Sequence, residues 1–168
     1  FHLLAGKEFF WLDLIDPPLR SAFSSRFENS SFDIGSDRML GFARLFSRII
    51  DFKSPFTATH SSGVAASAEL FARFAGFTDE DCRIMRVAGH LHDLGKLAVP
   101  VEILDKPASL LSHERNVIRH HTFYTYRILQ GMPAMKKINA WGAFHHERLD
   151  GTGYPFHFTE RDLPLGSQ

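Results

Sequence analysis

The spacing of apolar residues along the chain predicts a series of helices joined by short loops. In the first clear pattern, apolar residues recur every three or four positions, at Leu40, Ala43, Phe46, Ile49 and Ile50. Ser36 or Asp37 can cap this helix, which should end at about Phe52. A second helix should run from about residue 56 to residue 74. Its inward face should carry His60, Val64, Ala68 and Phe71.

Two further helices follow from their start and stop signals. Thr78, with three acidic residues directly after it, is a strong helix start. That helix should stop near Asp93, because Gly95 suits the position just after a helix C-terminus. Ser112 should cap the next helix, which should end at Gln130 before a glycine.

The remaining stretches complete an all-α prediction. Pro133 suits the first position of a helix whose end carries His145 and His146. Residues 1–35 combine a short apolar stretch with an aperiodic, Ser- and Phe-rich stretch, and we interpret them as a helical segment or linker of unknown role. No run of alternating apolar and polar residues predicts a strand. We therefore expect an all-α domain over residues 36–168.

Composition narrows the class of protein. The 168 residues, 44% of them hydrophobic, fit one globular domain or a domain with a small appendage. Lys plus Arg and Asp plus Glu number 19 each, so nothing indicates a nucleic-acid partner. No apolar run approaches the ~20 residues that a membrane span needs. Cys82 is the only cysteine, which favours an inert structural thiol in a reducing, cytoplasmic setting.

Two clusters of histidine and carboxylate lie at predicted helix ends and look like halves of one metal site. The first contains His92 and Asp93, and the second begins at His145 and His146. A carboxylate has two oxygens and can bridge two cations, whereas an imidazole supplies one directional nitrogen. A helix C-terminus carries partial negative charge, which favours a cation there. The sequence therefore predicts a metal centre that joins these helix ends.

Other histidines could complete this centre. His60 has apolar neighbours along its helix face, so it should point inward, either as a ligand or as a hydrogen-bonded core histidine. His121 lies closer to the buried stripe of its helix than His113 does, and His120 is the alternative. At least one of the two histidines at the end of the last helix should also reach the site.

The residue types limit the metal and its chemistry. Imidazole with carboxylate excludes a Cys-type structural zinc site and suits iron, manganese, zinc or cobalt. Two metals about 3.5–4 Å apart, bridged by Asp93 and a water, would make hydroxide at neutral pH and clamp a phosphoryl group. Lys96 could then stabilise the anionic phosphate, or it could be a solvated surface lysine.

In order and spacing, the motifs resemble the HD-GYP family, a branch of the HD phosphohydrolase superfamily, over about residues 56–160. The matching stretches carry the family's histidines, its His-Asp element, its connector and its Gly-Tyr-Pro signature: His60–Ala65, Gly89–Lys96, Ile103–Pro107, His121 and His145–Pro155. The resemblance implies an HD-type helical bundle with a metal site in its centre. It also implies six metal ligands, namely His60, His92, Asp93, His121, His145 and His146.

The resemblance further implies a function. Family members are phosphodiesterases that hydrolyse cyclic di-GMP, a bacterial second messenger, to linear pGpG or to GMP with a metal-bound hydroxide. The implied cofactors are two divalent transition-metal ions, with iron or manganese favoured over zinc, cobalt or nickel. Asp93 and Lys96 are the expected catalytic residues. Another nucleotide substrate, or a degenerate domain that only senses cyclic di-GMP or binds a protein, are the alternatives.

The family also suggests partners. Its members usually follow a sensory or receiver domain, and a signalling partner could dock at the Gly-Tyr-Pro loop, where Tyr154 and Pro155 form either a docking edge or a wall of the pocket. A homodimer is a further expectation. The first residue is Phe1, without a signal peptide, so we expect this sequence to be a piece of a longer one.

The sequence departs from the family pattern at several positions. Thr122 and Thr125 replace a proline and a glycine of the family helix. Phe56 replaces the glutamate of three-metal members, which favours two metals. The family's last metal-binding aspartate belongs to a helix beyond the point where this sequence stops, so we expect an incomplete C-terminus. Asp150 could replace that ligand, but an aspartate there more commonly shapes the turn.

Overall fold

The computed structural model describes residues 36–53 and 60–168. The predictions made for residues 1–35 lie outside the described residues. The same is true of the predicted helix start near Phe56 and of the argument against a third metal at that position.

The described part of the chain is helical, as predicted, and it contains no strand. Six α-helices follow one another: α1 (Ser36–Lys53), α2 (His60–Phe74), α3 (Asp79–Leu91), α4 (Val101–Leu104), α5 (Ser112–Gln130) and α6 (Lys136–Ala143). Three 3₁₀ helices lie between or after them: Leu94–Ala98, Pro133–Met135 and Leu165–Ser167. Within these ranges, no helix has both the length and the apolar character needed to cross a membrane.

Helix α3 lies at the centre of the bundle. It packs against α1, α2 and α6, while α5 packs against α6 and against the 3₁₀ helix that follows α3. The main core joins residues of these elements: Ala43, Ile50, Val87, Ala88, Leu91, Leu94, Leu129 and Ile138. A smaller core of Ala143, Phe144 and Leu163 packs with Phe156 and Phe158 and holds the C-terminal loop. The main core borders the C-terminal end of α3, and the smaller core borders the C-terminal end of α6.

The predicted helix starts are confirmed at α3 and corrected at α5. The Thr78 hydroxyl accepts a hydrogen bond from the N–H of Asp81 at 3.1 Å, which caps α3. Ser112 is the first residue of α5 rather than its cap. The prediction of a Ser112 cap was wrong because Glu114 reaches back instead and accepts the N–H of Leu111 at 2.7 Å.

The role predicted for Gly95, as the residue just after the C-terminus of α3, was also wrong. Helix α3 ends at Leu91, and Gly95 lies within the following 3₁₀ helix. A Cβ at Gly95 would overlap the carbonyl oxygen of His121 in α5. Its N–H donates to the Thr125 hydroxyl at 2.9 Å, and that hydroxyl donates to the His92 carbonyl at 3.0 Å. Glycine is therefore needed here for close packing against α5.

The inward face predicted for α2 is not the buried one. Phe71 is 69% exposed, whereas Ser61, Ala65 and Ala72 are buried. A Cβ at Gly89 of α3 would lie 2.6 Å from the Cα of Ala65, so the two helices approach almost backbone to backbone. Small side chains permit this approach, and the larger apolar residues of α2 are displaced from the interface.

Two side chains at the C-terminal end of α1 attach it to its neighbours. Lys53 Nζ donates to the carbonyl oxygens of Lys96, Leu97 and Val99 at 3.2, 2.7 and 2.7 Å. Asp51, which is buried, accepts a 2.6 Å hydrogen bond from the hydroxyl of Ser61 in the first turn of α2. Helix α1 thus holds both the 3₁₀ helix after α3 and the start of α2.

Replacing Gly95 with alanine should destabilise the fold by at least about 1–3 kcal/mol, because the added methyl group forces the 3₁₀ helix away from α5. Gly131→Ala is the matched control, since a Cβ there meets nothing within 4 Å and its backbone is already helical. Urea unfolding of both variants measures the difference. Equal midpoints for the two variants would contradict the close-packing role of Gly95.

Candidate metal centre

Asp93 lies between the end of α3 and the next 3₁₀ helix, and its side chain is almost fully buried. Its two carboxylate oxygens face different histidines. Oδ2 lies 3.0 Å from His92 Nε2 and 3.9 Å from His60 Nε2. Oδ1 lies 3.3 Å from His121 Nε2 and 4.0 Å from His145 Nε2. The carboxylate therefore stands between two sets of imidazoles.

Two groups of residues in the described part of the chain could each hold a cation. His60, His92 and Asp93 form one group, and His121, His145 and His146 form the other. Within each group, the potential ligand atoms lie within 4.8 Å of one another. All six residues predicted from the sequence are thus brought together. They come from the start of α2, the end of α3, the middle of α5 and the end of α6.

Backbone carbonyls orient three of the imidazole rings. In each ring Nδ1 lies 2.7 Å from the carbonyl oxygen three residues earlier, in the pairs His92 with Gly89, His121 with Ile118, and His145 with Gly142. A carbonyl oxygen only accepts hydrogen bonds, so Nδ1 must carry the proton. In the neutral form of each ring the lone pair is then on Nε2, which faces the centre of the site.

Burial keeps several of these imidazoles neutral. It lowers the pKa of His121 to about 4 and holds the pKa of His145 well below its ordinary value. Burial by itself would raise the pKa of Asp93, but its contact with His92 and the charge of Lys96 outweigh that effect and hold the pKa well below the usual range. The site thus offers an ionised carboxylate and, at His121 and His145, neutral imidazoles, which are the protonation states that metal binding requires.

The arrangement of potential ligand atoms favours a bound cation, because two imidazole nitrogens with lone pairs face each other. His121 Nε2 and His145 Nε2 lie 3.3 Å apart, and the Nδ1 atoms of both rings donate to carbonyls. Two neutral imidazoles in these tautomers present lone pairs to one another and to Asp93. A shared cation removes this repulsion, and mixed nitrogen and oxygen ligands suit a first-row transition metal.

His60 occupies the rim of the site. Its side chain is 47% exposed, so the predicted inward burial was wrong, and the alternative of a core histidine is excluded. The buried face of α2 begins at Ser61, and His60 directly before it lies at an exposed edge. The ring still reaches the site, with its centroid 5.5 Å from that of His92.

Lys96 is part of the site rather than a solvated surface residue. Its Nζ lies 2.7 Å from Asp93 Oδ2, one 3₁₀ turn along the chain. The Lys96 carbonyl accepts one of the hydrogen bonds from Lys53. The ammonium group therefore adds a positive charge next to the metal-ligand candidates, and the residue is fixed through both its side chain and its backbone.

The loop after α6 is held by carboxylates, and the turn-shaping role predicted for Asp150 is confirmed. Glu147 accepts the N–H groups of Phe156 and Phe158 at 2.7 and 3.0 Å. Asp150 accepts both the N–H and the hydroxyl of Thr152, at 2.9 and 2.6 Å, so it shapes the turn. A Cβ at Gly153 would overlap the backbone of Glu147, which explains a glycine there.

Aromatic and cationic groups flank the second ligand group. The Tyr154 ring stacks on His146 with centroids 4.7 Å apart and an interplanar angle of 22°. The Arg119 guanidinium lies 4.4 Å from the centroid of the Tyr154 ring. Tyr154 is thus a wall of the site, one of the two roles considered from the sequence. Sequence reasoning missed Arg119 and Lys53, because neither belongs to a motif and both reach their partners only through the tertiary fold.

Comparison with known proteins finds a matching family model and several proteins of similar sequence. A family model described as HD domain matches residues 44–168. The 3'3'-cGAMP-specific phosphodiesterase 3 of Vibrio cholerae serotype O1 is 44% identical over 110 residues, which cover 66% of this chain and 24% of the relative. The 3'3'-cGAMP-specific phosphodiesterase 1 of the same organism is 33% identical over 156 residues, covering 92% of this chain and 36% of the relative.

A third relative carries a different substrate in its name. The cyclic di-GMP phosphodiesterase response regulator RpfG of Xanthomonas campestris pv. campestris is 34% identical over 122 residues, which cover 70% of this chain and 32% of the relative. The chain spans between 24% and 36% of the length of these three relatives. The family match includes all six residues of the two ligand groups. The resemblance drawn from the sequence motifs is confirmed, and the chain belongs to the HD domain family.

Proposed function

We propose that this chain is the catalytic domain of a metal-dependent phosphodiesterase that hydrolyses cyclic dinucleotides. The observation that carries the proposal is the position of Asp93, whose two oxygens face two separate groups of imidazoles. The names of the relatives, which specify cyclic di-GMP or 3'3'-cGAMP, support the substrate class. Cyclic di-GMP is the proposed substrate, with pGpG or GMP as the product.

The two groups of candidate ligands support a pair of divalent ions. His60, His92 and Asp93 would hold one ion, and His121, His145 and His146 the other, with the second oxygen of Asp93 between them. Iron or manganese is proposed, since both suit nitrogen and oxygen ligands. When bound, such a pair supplies a water activated at neutral pH and neutralises the charge of a phosphodiester.

The chain's own residues bind and orient the substrate. The Lys96 ammonium group stands beside Asp93 and would attract a phosphate oxygen to the metal pair. Tyr154 and Arg119 present a flat ring and a guanidinium next to His146, where they would contact another part of the dinucleotide. Among the described residues, His60 stands at an exposed edge of the site, and substrate would enter from this side.

We also propose how the whole protein is regulated and in which compartment it acts. The name of one relative includes a response regulator, which supports an upstream receiver or sensory domain as the source of regulation. A signalling partner that contacts the loop around Tyr154 would sit next to the metal ligand His146. We place the activity in the cytoplasm, since the only cysteine, Cys82, is a free buried thiol.

A second candidate substrate is 3'3'-cGAMP. The two relatives named for it include the match with 44% identity and the match that covers 92% of this chain. The two substrates differ in one base only, so the shared metal centre does not distinguish them.

Metal-loaded protein should hydrolyse cyclic di-GMP, 3'3'-cGAMP or both in a panel that also contains cyclic di-AMP. The product, resolved by liquid chromatography, should be a linear dinucleotide or a mononucleotide, because attack on phosphorus opens the phosphodiester ring. Loss of all turnover on removal of metal by a chelator, and its return with Mn²⁺ or Fe²⁺, is expected. Full metal occupancy with no turnover on any member of the panel would refute the substrate class and leave the metal centre standing.

Asp93→Asn should reduce the metal content from two ions per chain to one or none and lower the rate by at least ~100-fold, because an amide supplies one weak oxygen ligand where a carboxylate supplies two. Asp150→Asn is the control, since its carboxylate shapes an exposed turn and an amide oxygen can accept the same bonds. Elemental analysis and hydrolysis rates measure both. Unchanged metal content in the Asp93 variant would refute the bridging role.

Lys96→Met should retain both metals but lower kcat by ~10- to 1,000-fold, because a charge placed near the developing negative charge is lost. Lys106→Met is a matched control, since that lysine is also partly buried and also forms a 2.7 Å ion pair, with Glu114, outside the two ligand groups. If the two variants lose activity equally, the effect on Lys96 is structural rather than electrostatic.

A further inference from the structure

Helix α1 is apolar on two opposite faces. One face packs into the core, where Ala43 and Ile50 are buried. The other face presents five large apolar side chains with exposures between 42% and 91%: Phe42, Leu45, Phe46, Ile49 and Phe52. Single exposed apolar residues are common on protein surfaces, but a row of five on one helix marks a surface that another chain or a further segment of this chain covers.

The spacing of this row indicates what kind of element covers it. Phe42, Leu45, Ile49 and Phe52 are separated by three, four and three residues. This is the repeat of the contact positions in a two-stranded coiled coil, in which each apolar side chain inserts between four residues of the facing helix. We refer to these four residues as the α1 seam. A seam of this type fits another helix better than a small ligand or a flat surface.

The area of the row fits a second copy of the chain. Since a large apolar side chain presents ~150–250 Å², the five exposed fractions amount to roughly 600 Å² on each copy. Two copies would bury on the order of 1,200 Å² in total, which reaches the lower end of the range for specific protein interfaces. A second copy also supplies a seam of equal length and spacing, and symmetric pairing of identical surfaces is the commonest way for chains to associate.

We infer that two copies of this chain pair through their α1 helices, with one seam packed against the other. The buried face of α1 remains on its own α3, so pairing requires no change in the fold. Lys53 and Asp51 point to other elements of the same copy and are not needed at the interface. The inference is independent of the proposed catalytic function, because none of the six metal-ligand candidates belongs to α1.

The double substitution Leu45→Gln with Ile49→Gln tests the pairing. Wild-type protein should sediment as a dimer at micromolar concentration, and the variant should dissociate with at least a tenfold weaker dimer constant. Ile128→Gln on α5 is the matched control, because Ile128 is 47% exposed and Ile49 is 45% exposed. Far-UV circular dichroism checks that each variant is folded. A dimer that is equally stable in the seam variant would overturn the inference.

Disulfide formation provides a second test of the pairing, and this test does not require a variant with a destabilised dimer. Leu45→Cys should form a cross-linked dimer under mild oxidation, because residue 45 lies near the middle of the seam, and the native Cys82 is buried. Asn116→Cys on the exposed side of α5 should remain monomeric on the same gel. A wild-type monomer at all concentrations overturns the inference. If the thiol introduced by Leu45→Cys is then protected from alkylation, a segment of the same chain covers the seam instead.

Discussion

The structure depends on one buried carboxylate, Asp93, which has one ammonium group beside it and imidazole rings on two sides. Removing an aspartate from water is unfavourable unless positive charge or hydrogen-bond donors replace the lost hydration. Asp93 has Lys96 at 2.7 Å, and imidazoles lie on both sides of it. The Nδ1 protons of three of those imidazoles are held by backbone carbonyls, which directs their lone pairs toward the same centre. A cation-binding centre follows from this arrangement of acceptors.

The surrounding fold keeps the short segment that carries Asp93 in place. That segment consists of the residues that follow α3 and a 3₁₀ helix of five residues, and it has little stability of its own. The Thr125 hydroxyl bonds to both the N–H of Gly95 and the carbonyl of His92, so one side chain of α5 spans the segment. Thr125 stands where the family usually has a glycine, and here it forms two buried hydrogen bonds without displacing a ligand. The departure from the family pattern is therefore accommodated within the same geometry.

The sequence predicted the helices well, and it identified six residues that the fold brings together, because both depend on local signals. Apolar spacing and the Thr78 cap determine where helices run, and histidines at helix ends are visible as motifs. The burial of His60 was wrongly predicted because periodicity identifies an apolar face but not the face that a neighbouring helix can approach. The buried face of α2 is instead determined by Ala65 and Gly89, because their small size lets α2 and α3 approach closely. Lys53 and Arg119 carry no local signal, since their partners lie in other elements.

The attachment of α1 has a mechanical consequence. A rotation or axial shift of this helix would pull the Lys53 ammonium group away from three carbonyls and the Asp51 carboxylate away from Ser61 at the same time. One of those carbonyls belongs to Lys96, and Ser61 directly follows His60 in the chain. A twist applied at the outer face of α1 would thus alter the spacing between the rim histidine and the central carboxylate. Torque on this one helix would therefore be transmitted to the candidate metal centre.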